Sequence, residues 1–130
     1  PVPYILDEAG KRLFGDGYKF SPGKDELIRE GSIGYVVSYG DMLYRSLDAV
    51  DSLRKQGYDV GLINKPTLNV VDEEALAIVG SSPAVLVVES QNEKTGLGSK
   101  YGGWLLEGGH SPKYSRLGVT KEGEGGADSR

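Results

Sequence analysis

The chain of 130 residues has no cysteine, which excludes disulfides, thiol nucleophiles, zinc–thiolate clusters and iron–sulfur centres together. A single histidine rules out a metal cage built from imidazoles. The longest apolar runs are five residues, far short of the roughly 20 that a membrane span needs, and no secretory leader pattern stands at the start. Neither sign of charge is concentrated. Fifteen basic and 19 acidic residues give a formal net charge of −4, so no basic face is offered to nucleic acid or to a membrane surface. What is present suits one globular domain: 38% hydrophobic and 26% charged residues can build one core.

Glycine is abundant, at 20 residues, and marks many turns and close backbone approaches. The chain opens on Pro1-Val2-Pro3-Tyr4-Ile5-Leu6, which reads as the end of a strand and predicts a piece of a longer protein. Residues 1–24 carry no helix-length pattern and read as a lead-in or linker from a preceding domain, with one hairpin whose Leu13, Phe14, Tyr18 and Phe20 need a cover. Residues 25–120 form the α/β domain, and residues 121–130, without apolar pattern, a flexible tail.

Within the domain the periods alternate. Glu26-Leu27-Ile28-Arg29 reads as a short strand and 33–39 as a strand covered on both faces. Leu43, Leu47, Val50 and Leu53 then share one helical face, with Asp41 as the expected cap and Gly57 as the stop. Val60-Gly61-Leu62-Ile63 is the next strand. Asp72 caps a second helix, with Glu73 and Glu74 in its first turn and Val71 stapled onto Leu76. Ala84 to Val88 is wholly apolar and reads as the central strand of its sheet. After a polar turn at 91–96, Leu97, Tyr101, Trp104 and Leu105 recur at helical spacing, and Tyr114 to Val119 is a last strand. This alternation predicts a mostly parallel sheet with helices on both faces, a three-layer α/β/α sandwich.

Few residues point to chemistry. The run Thr95 to Gly103 suggests a phosphate loop, but Tyr101 stands where a dinucleotide fingerprint needs glycine or alanine. Lys100 follows Ser99 and precedes Tyr101, so no Walker motif exists either; a tight turn before a closely packed helix is the plainer reading. His110 reads as a loop histidine without a serine–acid partner pattern, and capping accounts for Asp72-Glu73-Glu74. No catalytic, cofactor-binding or metal-binding residue is assigned. Gly40, Lys65 and Glu89 fall at the ends of expected strands, where open α/β sheets collect ligands. A stand-alone module binding a small anionic ligand there is one functional reading.

The stretches Gly23-Lys24-Asp25-Glu26-Leu27-Ile28-Arg29-Glu30-Gly31, Ser38-Tyr39-Gly40, Leu53-Arg54-Lys55-Gln56-Gly57, Asn64 to Glu74, Val87-Val88-Glu89 and Thr95-Gly96-Leu97-Gly98-Ser99 occur in order. Together they resemble the C-terminal domain of transketolase-like, thiamine-diphosphate-dependent enzymes. Val70 replaces a family proline, Thr95 replaces a glycine, and a further C-terminal helix usual in the family is not met. Transketolase, deoxyxylulose-phosphate synthase and the β subunits of 2-oxo-acid dehydrogenases all carry this domain; the phrase Asn64 to Glu74 is most similar to transketolase.

The resemblance implies a five-stranded, mostly parallel sheet whose first strand is antiparallel. It implies a non-catalytic assembly or regulatory domain, in a cytoplasmic, homodimeric parent of the pentose phosphate pathway. That parent would transfer ketol units between sugar phosphates, with thiamine diphosphate and a divalent metal held by its other domains. Gly15-Asp16-Gly17 lacks the strand and asparagine of the family's metal motif, so no cofactor is expected in this chain. The partners implied are other domains or a second subunit of the parent. Thr95 to Glu107 is then the expected contact surface, through Gly96, Gly98, Tyr101 and Trp104; the rival is that both rings lie in this domain's own core.

Overall fold

The computed structural model describes residues 23–90 and 96–119. The expected lead-in hairpin with Leu13, Phe14, Tyr18 and Phe20, residues 91–95 of the expected polar turn and the expected tail at 121–130 lie outside them. The element order is β1 (Glu26–Arg29), β2 (Gly34–Ser38), α1 (Asp41–Lys55), β3 (Val60–Asn64), α2 (Glu73–Gly80), β4 (Ala84–Ser90), α3 (Leu97–Glu107) and β5 (Lys113–Val119). One sheet holds all five strands in the order β1-β3-β2-β4-β5. β1 runs antiparallel to β3, with Leu27 opposite Ile63, and every other pair is parallel. The five-stranded mixed sheet is as the resemblance implied. β4, expected at the centre, is interior, between β2 and β5, while β2 occupies the middle.

Side-chain alternation sends consecutive strand residues to opposite faces, and each face has its own helical cover. On one side Leu43, Leu47 and Val50 of α1 pack on Ile28 and Leu62. On the other, Leu76 and Val79 of α2 and Leu97, Tyr101 and Leu105 of α3 meet Tyr35, Val37, Ile63, Val85 and Val87. Val37, Leu62, Val79, Val87 and Leu97 are fully buried, and each such side chain contributes about 1.5–3 kcal/mol through removal from water. Leu53, expected on the buried stripe of α1, is 37% exposed.

Two helix starts differ. α2 is capped as the sequence predicts: the Asp72 side chain accepts from the amides of Glu74 (3.2 Å) and Ala75 (3.3 Å). At α1 the expectation fails. Gly40, at φ 62°, is the cap, no side chain takes part, and Asp41 is already the first helical residue. Glycine adopts this left-handed turn without a Cβ penalty, so the chain leaves β2 and enters the helix one residue earlier than an aspartate cap would allow. The two edges of the sheet also differ. β1 is four residues long, with an irregular register, and Arg29 clamps it to Asp51 of α1 through Nε (2.9 Å) and Nη2 (3.1 Å). β5 is seven residues long and regular along its whole pairing with β4.

Candidate functional site

The carboxyl ends of β2, β3 and β4 share one side of the sheet, and the antiparallel β1 brings its amino end there. Gly40, Lys65 and Glu89 all lie on this side, but the two side chains among them are already engaged. Lys65 follows β3 and its side chain is 1% exposed. Its ammonium donates to Asp25 Oδ1 at 3.0 Å and to the Val70 carbonyl at 2.6 Å. The Trp104 ring lies 5.3 Å from Nζ, within cation–π range. Asp25 anchors a second contact through its amide, which donates to Asp72 Oδ2 at 2.8 Å. Asp72 therefore caps α2 with one oxygen and holds residue 25 with the other.

The electrostatics follow from this packing. Burial pushes the Asp25 carboxyl above its ordinary value, against the hydrogen bond and charge of Lys65. Burial acts the same way on Asp72, yet the amides of Asp25, Ala75 and Glu74 and the Lys24 ammonium outweigh it and hold that carboxyl low.

Glu89 stands near the end of β4. One oxygen accepts from the Tyr39 hydroxyl (3.1 Å) and the other from the Gly98 amide in the first turn of α3 (2.9 Å). The carboxylate thus serves the start of α3, where Gly96, at φ 80°, turns the chain into the helix. Gly98 is buried; a Cβ there would lie 3.0 Å from the Arg116 side chain, so β5 approaches closely. Tyr114 donates to the Gly98 carbonyl and Arg116 to the Ser99 hydroxyl. A cleft of about 400 Å³ opens between Glu89, Gly96, Ser99, Arg116 and Leu117.

The two α3 aromatics part company. Tyr101 is 1% exposed and belongs to the core; its ring offers no area to the outside, as helical spacing alone could not tell. Trp104 packs against that core only in part, with ring centroids 5.8 Å apart. The Tyr101 hydroxyl is buried without a hydrogen-bond partner among the described residues, and burial pushes its pKa up. His110 seats its ring against Gly80 and Gly108, a packing role.

Among the described residues, no three histidine or carboxylate side chains converge on a metal position. The acids near the strand ends are tied to Lys65, to Tyr39 and to backbone amides. This donor set does not fit a diphosphate with its metal. Sequence reading singled out Lys65 and Glu89 but missed their partners Asp25 and Tyr39. Only the tertiary fold brings these together, and a lysine beside Asn64 normally reads as solvent-exposed.

Residues 23–129 match the family described as transketolase, C-terminal domain. The chain is 33% identical over 117 residues to an uncharacterised transketolase family protein of Sinorhizobium fredii, covering 88% of this chain and 32% of that protein. Against one of the subunits of the apulose-4-phosphate transketolase of Actinobacillus succinogenes the identity is 32% over 127 residues, covering 95% and 40%. The chain thus spans well under half the length of either relative. The beta component of pyruvate dehydrogenase E1 from Staphylococcus epidermidis and a 1-deoxy-D-xylulose-5-phosphate synthase match as well. Among solved structures, a split-gene transketolase described as an inactive beta4 tetramer shares the fold, with a TM-score of 0.71 and 24% identity over 85% of this chain and 37% of that one. The order of elements, the capped α2 and the family match across 23–129 lead to one conclusion: the chain belongs to the transketolase C-terminal domain family.

Proposed function

We propose that this chain is the non-catalytic assembly domain of a transketolase-type enzyme, one that transfers ketol units between sugar phosphates. Thiamine diphosphate and a divalent metal belong, in this reading, to other parts of that enzyme, which works as a cytoplasmic homodimer. The observation that carries it is the state of the ligand-binding end of the sheet, where Lys65 and Glu89 are engaged by the domain's own groups. Apolar side chains face outward instead. Trp104 is only half-buried and Leu106 is 76% exposed, and large rings of this kind anchor interfaces. The contact surface runs along α3 from Gly96 through Trp104, with Gly98 and Tyr101 supporting it from beneath. The transketolase relative of Actinobacillus aligns with 95% of the chain and the Staphylococcus pyruvate dehydrogenase component with 69%, which favours the transketolase branch. An anion site at Gly40, Lys65 and Glu89 is the weaker reading, because the Lys65 ammonium has no exposed face to offer.

The test has two parts. Calorimetric titration of the chain with thiamine diphosphate and magnesium is expected to give no binding heat, and micromolar affinity would overturn the assignment. In the assembled enzyme, Trp104→Ala is expected to weaken dimerisation in sedimentation while the chain alone stays folded, with only a modest fall in melting temperature from the lost contacts to Lys65 and Tyr101. Unfolding of the chain alone would return Trp104 to the core.

A further inference from the structure

Lys65 is the meeting point of three parts of the molecule. Its ammonium is withdrawn from water and must find acceptors inside the protein. Asp25 Oδ1 and the Val70 carbonyl accept from it, and the Trp104 ring lies 5.3 Å away. On the far side of the pair, the Asp25 amide is held by Asp72 and the Gly23 amide donates to Thr67 Oγ1 at 3.3 Å. Gly23 and Asp25 are thus fastened to the β3–α2 connection by side chains, just ahead of the first ladder bond of the sheet.

A buried cation couples whatever solvates it. In a medium of low dielectric constant the attraction of an ammonium to a carboxylate and to a ring face is strong, and loss of either changes the balance for the other. Ring and carboxylate here sit on different elements, α3 and the segment before β1.

We propose that Lys65 is a coupling residue that links the point where the chain enters the sheet, at Gly23–Asp25, to the Trp104 face of α3. Ordering of the segment at 23–25 then favours the ring position seen here, and a partner seated on Trp104 favours the ordered segment in return, since such coupling is reciprocal. The second half rests on the contact role proposed above for Trp104; the coupling itself does not.

Trp104 is the only tryptophan in the chain, so intrinsic fluorescence reads one site. In the 130-residue chain, Asp25→Asn is expected to shift the Trp104 emission maximum and alter its quenching by acrylamide. In the reverse direction, Trp104→Leu is expected to speed hydrogen exchange at the Gly23 and Asp25 amides by about tenfold while the Val37 and Val87 amides keep their protection. Unchanged emission in a folded Asp25→Asn variant, together with unchanged exchange in Trp104→Leu, would sink the proposal. Should Asp25→Asn fail to fold, the exchange measurement decides alone, because Trp104 is only half-buried. If the coupling appears but Trp104→Ala leaves assembly intact, the coupling stands and the contact role falls.

Discussion

The two ends of the sheet use the same chemistry with opposite exposure. At the carboxyl end the Lys65–Asp25 pair is 3.0 Å long, with side chains 1% and 2% exposed. At the amino end Arg54 pairs with Asp59 at 3.2 Å, with side chains 22% and 50% exposed. Arg54 also donates to the carbonyls of Glu30 (2.6 Å) and Val60 (2.7 Å), while the hydroxyl and amide of Ser32 and the charge of Arg54 hold the Asp59 carboxyl low. Water explains the difference in consequence. It competes for the amino-end groups and replaces any that are lost, whereas no solvent reaches the carboxyl-end pair to stand in for a missing partner.

Breaking the buried pair therefore has the largest expected effect. Lys65→Met leaves the Asp25 carboxylate enclosed without its cation and is expected to lower stability by about 3–5 kcal/mol in urea denaturation. Lys65→Met with Asp25→Leu should recover most of that loss, because an apolar pair needs no solvation; equal losses in the single and double variants would contradict this account. Arg54→Gln, at the other end, is expected to lose only about 1 kcal/mol, from the two carbonyl contacts. A loss as large as that of Lys65→Met would erase the contrast.

Acid separates the two carboxylates at the buried end. Asp72 is held below its unfolded value of 3.8, so its contribution is full above that value and is lost as the pH falls through the folded pKa. Asp25 lies above 3.8 in the fold, so its linkage contribution is present below that value and fades as the pH rises through the folded pKa. The deficit of Asp72→Asn relative to the native chain should accordingly shrink from about pH 6 to about pH 3, and that of Asp25→Asn should grow. Thermal melts of both variants across this range check the signs. The smallest effect belongs to Tyr101→Phe. It removes a hydroxyl that has no partner among the described residues, and the melt is expected to stay level or rise, by less than about 1 kcal/mol. A clear loss would point to a hydrogen bond on that hydroxyl.

The fold was legible where one local pattern decides the answer. Val87 and its neighbours form an apolar strand run, and Asp72-Glu73-Glu74 marks a helix start whichever strand precedes it. Gly40 and Asp41 were not separable, since both residues suit a helix cap and only the backbone turn out of β2 selects the glycine. Tyr101 and Trp104 share a helical face by spacing; how far the sheet extends beneath α3 determines which of them it covers. The buried end of the sheet was least legible, because the link between Lys65 and Asp25 depends on an antiparallel β1 lying beside β3, a contact that no local window contains.

The long outer strand β5 has a consequence for behaviour at high concentration. Among the described residues no strand pairs with the outer side of β5, and an uninterrupted seven-residue edge is a template for growth of a sheet from one molecule into the next. Lys113 and Arg116 are exposed along it, and Arg116 is its middle residue. Two such edges meeting antiparallel about their centres would bring the two Arg116 residues opposite one another, a like-charge pair that disfavours the contact. A charge at that position acts as a gatekeeper against filament formation, and replacing Arg116 with an apolar residue would remove it.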